Sequence, residues 1–381
     1  MLSQTLLPLL AVSVASFALA WPSQAKAGEP TRLSGPYTHE NLSIYLVHGK
    51  SADGPVPLTL EEAMEKGKVK VHETGSVGQL EIENTGKEEV LVHAGDIVKG
   101  GQQDRVLTTT MILKSKSGRV PLHAFCVESG RWAARGKEDV KVFASSKEMM
   151  PSRAAKLAMK AMPAAPMAGE EVNADASLRE LNEPNKINQR ADLPNQAIQR
   201  GPGRGNSAVN PQGEVWKNVA NIQAALSSNL GAKVASGVSE SSLQLALENE
   251  KLLEAQKRYI EALGPAGEKD ADVIGYVFAI NGEINSADIY ASNALFRKLW
   301  PRLLKASATE ALGAGKAETK AEAPTAAAIE GFLADADKGK VSEREPVKGM
   351  KLKMREAEKT LDFETMSAAG VLVHRNVLSR H

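Results

Sequence analysis

Residues 272–290 read DVIGYVFAINGEINSADIY, and this stretch determines the class of fold. Two runs rich in apolar and β-branched residues, 272–280 and 283–290, flank the dipeptide Asn281-Gly282. Asn-Gly is the strongest short-range signal for a two-residue hairpin turn, because both positions tolerate positive φ. The stretch therefore predicts two antiparallel strands that are neighbours in sequence and in space.

The chain before this hairpin also has the pattern of antiparallel strands. Over residues 41–148, short segments alternate apolar and polar side chains and are separated by turn residues. Thr85-Gly86 and Ser117-Gly118 are predicted to join two pairs of these segments as hairpins. We interpret residues 41–148 as the β-rich half of a domain, with strands expected at 41–47, 68–74, 79–84, 89–93, 105–114, 119–128 and 139–145.

Helical spacing of apolar residues dominates much of the remaining chain. A T-x-x-E capping box at Thr59 to Glu62 predicts a short helix over 60–66. Gly264-Pro265 is expected to end one of the later helices, and Pro301 to kink another or to start a new one. Residues 212–381 are interpreted as the helical and hairpin half of the same domain, with helices from 212, over 239–263, 292–312 and 325–334, and closing strands at 351–360 and 371–374. The predicted class is α+β, a mostly antiparallel sheet with the later helices packed on it.

Residues 149–211 differ in composition from both halves. They hold seven of the eighteen prolines and no aromatic residue. A long segment of this composition buries little apolar surface, so we predict a disordered insertion with one helical piece at 152–161. A segment that docks on a protein partner is the functional alternative.

The N-terminus has the pattern of a secretory signal peptide. Residues 6–20 are an apolar run that is too short to span a bilayer comfortably. Small residues suited to signal peptidase place the cleavage after Ala20, Ala25 or Ala27. The 1–27 segment is therefore predicted to be removed on export to the periplasm or beyond, leaving a mature chain with no transmembrane segment. The alternative is an N-terminal anchor that is never cut.

Composition excludes several classes of protein. The 47 basic and 46 acidic residues give a formal charge of +1, which does not suit a general nucleic-acid binder. The single cysteine excludes a disulfide framework and a cysteine-rich zinc site. The sequence has no Walker loop, nucleophile elbow or H-E-x-x-H motif, and its seven histidines are scattered. No cofactor and no metal site are therefore predicted.

The one cysteine, Cys126, lies close to His123 and invites comparison with a catalytic dyad. Neighbouring side chains alternate between the two faces of a strand, so residues three apart point to opposite faces. Cys126 is therefore expected to be a small buried core residue.

Two motifs at predicted strand ends collect polar residues beside glycines. They are AGDIVKGGQQDR at 94–105 and CVESGRW at 126–132. Gly100-Gly101 can turn backbone amides towards an anion, and arginines can grip a carboxylate or phosphate. The candidate binding residues are Lys99, Gln102, Gln103, Asp104, Arg105, Glu128, Arg131 and Trp132. The alternative is that the acids pair with the arginines and serve only the fold.

The same motifs resemble a known family. GDIVKGGQQDRVL at 95–107 and FCVESGRW at 125–132 are similar to the ARG and rhodanese-phosphatase-superfamily-associated protein domain. The resemblance continues at TLEEAMEKG, QGEVWKNV, VIGYVFAINGEI and ALFRKLWPRLLKASATEAL, covers most of 41–312, and returns weakly at GVLVH. The family name implies association with ADP-ribosylglycohydrolase and phosphatase-like proteins, and hence nucleotide or ADP-ribose chemistry. It transfers no catalytic residue.

Two functions of different classes follow. The first is an exported protein that binds a small anionic ligand at the two motifs, with any catalysis left open. The second is a non-catalytic structural or interaction protein of the cell envelope. A pocket with unpaired polar groups favours the first, and a closed ion-pair network favours the second.

Overall fold

The structure is a computed structural model that describes residues 28–136, 139–160, 210–319 and 321–381. The predicted signal peptide at 1–27 and most of the predicted insertion, residues 161–209, lie outside the described residues. Among the helices of the described part of the chain, none is long and apolar enough to cross a membrane.

An antiparallel eight-stranded sheet is the largest layer, and the Asn-Gly hairpin lies near its centre. Ile280 pairs with Glu283 across the turn. Asn281 and Gly282 have φ values of 50° and 81°, as a type I′ turn requires, so the predicted hairpin is confirmed. In spatial order the strands are β1 (Pro30–His39), β2 (Leu42–Gly49), β12 (Val273–Ile280), β13 (Glu283–Tyr290), β17 (Leu372–Ser379), β16 (Thr360–Ser367), β15 (Met350–Glu356) and β14 (Lys340–Val347).

Two smaller sheets are built from residues 58–149. The six-stranded sheet is antiparallel throughout, in the order β11 (Phe143–Met149), β7 (Asp96–Gly100), β8 (Arg105–Leu107), β10 (Gly118–Cys126), β5 (Gln79–Asn84) and β4 (Val69–Ser76). The three-stranded sheet contains β3 (Leu58–Thr59), β6 (Val90–Val92) and β9 (Met111–Leu113). The predicted β-rich half is confirmed, although β2 joins the large sheet beside β12.

Seven helices are described. The first has the predicted capping box, in which the Thr59 hydroxyl accepts from the Glu62 amide and the Glu62 carboxylate accepts from the Thr59 amide. The helices are α1 (Leu60–Glu65), α2 (Arg153–Lys160), α3 (Pro211–Leu230), α4 (Leu243–Leu247), α5 (Glu250–Lys269), α6 (Asn293–Ala314) and α7 (Ala326–Asp337).

The two halves share buried clusters, as an α+β domain with helices packed on its sheets requires. Val106 and Phe125, from β8 and β10, pack in one buried cluster with residues of α2, α3 and α4. Trp300 of α6 packs edge-on against Tyr276 of β12, on the large sheet. Both of these clusters therefore contain residues from 28–160 and from 210–381.

Several predicted boundaries are wrong. The helix expected over 239–263 is two helices, α4 and α5, and α5 continues through Gly264-Pro265 to Lys269. The Trp300 indole donates to the Gly264 carbonyl, and Gly267 lies against the Trp300 ring, so packing on α6 supports this helix past its proline. In α6, the helix runs through Pro301 in one piece.

The hairpin predicted at Thr85-Gly86 is also absent, because β5 pairs with β4 and β10 whereas β6 pairs with β3 and β9. The Asn84 side-chain amide donates to the carbonyls of Glu88 and Lys114, which holds the chain where it leaves one sheet for the other. The strand expected at 105–114 is likewise divided into β8 and β9, which belong to different sheets.

The start of the predicted insertion is placed too early. Residues 149–160 are described and packed, with Met150 and Ala155 fully buried, and the expected helical piece is present as α2. Near the C-terminus, β15 and β17 correspond to the two predicted closing strands, whereas β14 and β16 were not predicted.

Candidate functional site

The two predicted motifs meet at the ends of β7, β8 and β10. Arg131 lies 2.7 Å from a carboxylate oxygen of Glu128 and 3.7 Å from one of Asp104. Arg135, which sequence reasoning missed, lies 2.8 Å from the other oxygen of Asp104. Both carboxylates are fully buried. The motifs therefore converge, and they do so as an ion-pair network.

Arg105 lies beside these ion pairs and is fully buried. Its guanidinium donates to the Gln103 carbonyl at 2.9 Å and lies 5.5 Å from the centre of the Trp132 ring. Gln103 in turn donates to the Glu128 carbonyl at 3.0 Å. Glu73 of β4 lies 3.9 Å from Arg105. We call this set the motif network: Glu73, Gln103, Asp104, Arg105, Glu128, Arg131 and Arg135.

Three of the predicted site residues are not part of the network, namely Lys99, Gln102 and Trp132, and Trp132 contacts it only through the face of its ring against Arg105. The Lys99 ammonium pairs with Glu248 at 2.7 Å in a separate cleft that is lined also by Ser145 and Lys305. The backbone amide of Gln102 lies 3.4 Å from the Glu73 carboxylate, so Gln102 touches the network only at its edge.

Of the two glycines, only Gly100 turns its amide towards an anion, and that anion is a side chain of the protein; the Gly101 amide donates to the Val142 carbonyl. Gly100 has a φ of 107°, and its amide donates to Asp104 at 2.9 Å. The Arg131 guanidinium also donates to the carbonyls of Gly101 and Ala133, at 3.1 Å and 2.6 Å. The geometry predicted for a bound anion is thus occupied by an internal carboxylate.

The network also joins the two halves of the domain. Ser239 donates to Glu128 at 2.5 Å, and Ser242, the N-cap of α4, donates to Asp104 at 2.9 Å. Three arginines face three carboxylates among its described members. The described members therefore carry equal numbers of arginines and carboxylates, although the Nε atoms of Arg105 and Arg131 and one Nη of Arg105 have no hydrogen-bond partner in the described part of the chain.

Cys126 is a buried core residue, as predicted. Its Sγ donates to the Glu128 carbonyl at 3.0 Å, and burial raises the pKa of the thiol to about 11. A thiol held protonated in this way is a poor nucleophile.

A second polar group lies in the interior and was not predicted. His93 follows β6, whereas Asp288 and His374 lie on β13 and β17. All three side chains are buried, and each offers a ligand atom that lies within 4.8 Å of the others. His374 Nε2 lies 2.9 Å from Asp288 Oδ1, and His93 Nε2 lies 2.9 Å from the Tyr290 hydroxyl.

His93 and Asp288 border a small cavity between the large sheet, α2 and α6. Its volume, about 20 Å³, is enough for a water molecule. We call it the polar cavity, and its polar lining comprises His93, Thr108, Lys156, Lys160, Tyr276, Asp288, Ser307 and Asn376.

The pKa values of ionisable groups at the polar cavity are shifted by their surroundings. Burial lowers the pKa of Lys160 to about 7, and its ammonium donates to Asn376 at 2.6 Å. Burial alone would raise the pKa of Asp288, but the hydrogen bond from His374 and nearby positive charge hold it well below its usual range. Burial lowers the pKa of His93 well below its ordinary value, so this imidazole is neutral.

A sequence signal for the cavity exists, although it is weak. Asp288 and Tyr290 are two apart on β13, and His374 and Asn376 are two apart on β17. Asp288 pairs with Asn376 and Tyr290 with His374 across the strands. Polar residues that recur on one face of a strand expected to be buried indicate a polar interior. The pairing of distant strands, which brings them to His93, is not visible in the sequence.

Comparison with protein families matches residues 30–379 to the ARG and Rhodanese-Phosphatase-superfamily-associated Protein domain. The match includes both motifs, β1 and the closing strands. Neither the curated proteins nor the solved structures contain a match to this chain.

Proposed function

This chain belongs to the ARG and Rhodanese-Phosphatase-superfamily-associated Protein domain family, and we propose that it is an exported protein that binds a small anionic ligand in the polar cavity. One observation carries the proposal. Two lysines of α2, Lys156 and Lys160, line the cavity, and Asp288 is the one acidic residue in the described lining. The lining thus has more positive than negative groups, unlike the motif network.

The cavity also has hydrogen-bond donors for an oxygen-rich group. These donors are the ammonium groups of Lys156 and Lys160. The Asn376 amide and the Ser307 hydroxyl lie beside them but already donate to Ala287, Asp288 and Leu303. A volume of about 20 Å³ admits only the end of a ligand unless α2 moves. A terminal phosphate or carboxylate oxygen fits this description, and a phosphate-bearing ligand agrees with the nucleotide or ADP-ribose chemistry that the family name suggests.

The experiment is a thermal-shift and calorimetric titration with inorganic phosphate and with ADP, which ends in a phosphate. A ligand that binds the native state raises its melting temperature. We expect Lys156→Met or Lys160→Met to abolish the shift and Lys99→Met, in the separate cleft, to retain it. Loss of the shift in Lys99→Met or Arg131→Ala alone would place the ligand at the predicted motifs instead. No shift with any anion would remove the binding function.

A second candidate is a non-catalytic structural or interaction protein of the cell envelope. The ion pairs and hydrogen bonds of the motif network favour it, because they join the two halves of the domain. This function predicts no anion response in the titration.

Export rests on the sequence of residues 1–27. An apolar run followed by small residues is recognised and cut by signal peptidase. N-terminal sequencing of the mature protein should begin after Ala20, Ala25 or Ala27. An intact Met1 in a cytosolic fraction would refute export.

A further inference from the structure

The cluster of His93, Asp288 and His374 has the composition of a metal site. Two imidazoles and one carboxylate form a ligand set that suits zinc and related divalent transition metals. Their ligand atoms lie within 4.8 Å of one another, and the three side chains are 2–3% exposed. Around a tetrahedral zinc ion, neighbouring ligand atoms are roughly 3.3 Å apart, so a small contraction closes the set.

His93 supplies an independent sign of a missing ligand. Its Nε2 is 2.9 Å from the Tyr290 hydroxyl, whereas its buried Nδ1 has no hydrogen-bond partner in the described part of the chain. A neutral imidazole has a single N–H, and when this N–H donates to Tyr290, Nδ1 presents a lone pair. A buried acceptor without a partner is costly, and metal-bound histidines hold their other nitrogen in this way.

His374 is arranged in the same manner. Its Nδ1 lies 3.0 Å from the Thr110 hydroxyl, and its Nε2 lies 2.9 Å from Asp288 Oδ1. Without a metal ion, Nε2–H of His374 donates to the Asp288 carboxylate. When a cation takes the place of that proton, Nδ1 carries the N–H and donates to Thr110. Each histidine thus has one nitrogen on a hydroxyl, and the other is without a partner in His93 and paired with Asp288 in His374.

We propose that His93, Asp288 and His374 bind one divalent transition-metal ion of the zinc class, with the fourth coordination position open to the polar cavity. His93 and Asp288 both line that cavity, which has room for a water molecule at this position. Three protein ligands with one open position is the arrangement typical of zinc sites that act on a ligand. The proposal concerns the metal alone and does not require the anionic ligand.

Lys156 and Lys160 are the groups that oppose a cation here. They line the same cavity, and charges repel strongly in a poorly solvated interior. Asn376 links Lys160 to the cluster. Its side-chain oxygen accepts from the Lys160 ammonium, and its amide nitrogen donates to Asp288 at 3.0 Å. Removal of the Lys160 charge should therefore tighten metal binding.

A second histidine cluster provides a matched control. His48 is also fully buried and lies near Asp270 and Asp272. Both of its ring nitrogens have partners, the Ser34 hydroxyl at 2.7 Å and Asp272 at 2.8 Å, and Arg32 pairs with the same carboxylate. Because both ring nitrogens of His48 have partners, His48→Gln is the control for the loss of a buried imidazole that is not expected to bind a metal ion.

The test is a calorimetric titration of the untagged, chelator-treated mature protein with Zn²⁺. We expect one Zn²⁺ per chain. His93→Gln and Asp288→Asn should weaken binding by roughly 100-fold or more, His48→Gln should leave it unchanged, and Lys160→Met should strengthen it. Tyr290→Phe, which removes the hydroxyl that orients His93, should weaken binding by about 10–100-fold.

Circular dichroism of each variant shows whether it folds. Should His93→Gln fail to fold, Tyr290→Phe and Lys160→Met still decide, because a structural role alone does not predict opposite changes in zinc affinity. Absence of zinc binding by the parent protein, or equal loss in His48→Gln and Tyr290→Phe, would overturn the metal site. Neither result bears on the titration with phosphate, which tests the anionic ligand separately.

Discussion

The guanidinium of Arg131 lies 2.7 Å from the Glu128 carboxylate inside the fold, with only 12% of the arginine side chain exposed. The pair holds the loop after β10 against the end of β7, because Arg131 also donates to the carbonyls of Gly100 and Gly101. Arg131, which the sequence suggested as a ligand contact, thus links two segments of the chain to each other in the structure.

Arg131→Ala should reduce the free energy of unfolding by roughly 3–5 kcal/mol, because Glu128 is left as a buried, weakly compensated charge. A urea melt beside the parent protein measures the loss. Arg119→Ala is the matched control, since Arg119 is 60% exposed and pairs with Glu81 at the surface. It should cost less than about 1 kcal/mol. Equal losses in the two variants would contradict the structural role of the motif network.

Local signals predicted the parts of the fold that depend on neighbouring residues. The Asn281-Gly282 turn and the Thr59 capping box each need only a few adjacent side chains, and both are confirmed. The motifs were predicted to converge and do so, apart from Lys99. Residue types alone do not show whether an arginine faces a ligand or an internal carboxylate, and only the structure shows Arg131 and Arg135 beside Asp104 and Glu128.

Other features depend on contacts between distant residues and could not be predicted. His93 and His374 are 281 positions apart, and only the assembly of the sheets brings their rings to 4.5 Å. β14 reads KVSEREPV, whose polar residues are typical of an edge strand and give no alternating signal. Helix α5 passes Pro265 because α6 packs against it, and this support is tertiary.

Cys126 should be unreactive in the native protein. Burial raises the pKa of its thiol to about 11, so at about pH 8 roughly one molecule in a thousand carries the thiolate. Titration with a thiol-reactive dye should give almost no signal until concentrated guanidinium chloride unfolds the chain, and then one thiol per chain. Rapid labelling of the folded protein would contradict the buried position.

The raised pKa of the Cys126 thiol also affects the stability of the protein at alkaline pH. The unfolded thiol loses its proton near pH 9, whereas the folded thiol keeps it to about 11, so deprotonation favours the unfolded state between these values. The difference in unfolding free energy between the parent and Cys126→Ala should therefore shrink as pH rises above about 9. A difference that stays constant to pH 11 would contradict the raised pKa.

Replacement of two helix glycines by alanine should change the stability of the protein in opposite directions. A Cβ added at Gly267 would lie 2.4 Å from the Trp300 ring, and this indole is buried and cannot move aside. Gly267→Ala should therefore destabilise the protein by about 1–3 kcal/mol. At Gly331, in α7, a Cβ meets nothing within 4 Å, so Gly331→Ala should stabilise by up to about 1 kcal/mol. Thermal melts of both variants decide, and stabilisation by both would show that α5 and α6 are less closely packed.

A cut between residues 160 and 210 should not separate the two halves of the chain. Strand β2, from the first half, pairs with β12, from the second, along most of its length, including Leu46 with Tyr276 and Ile44 with Phe278. Burial of the shared apolar clusters favours association of the halves as it favours folding. We expect a chain with an engineered protease site in this segment to elute after cleavage as one species of unchanged size. Its melting temperature should then depend on concentration, because unfolding has become dissociation. Fragments that elute separately without denaturant would show two independent domains, and the pairing of β2 with β12 would be wrong.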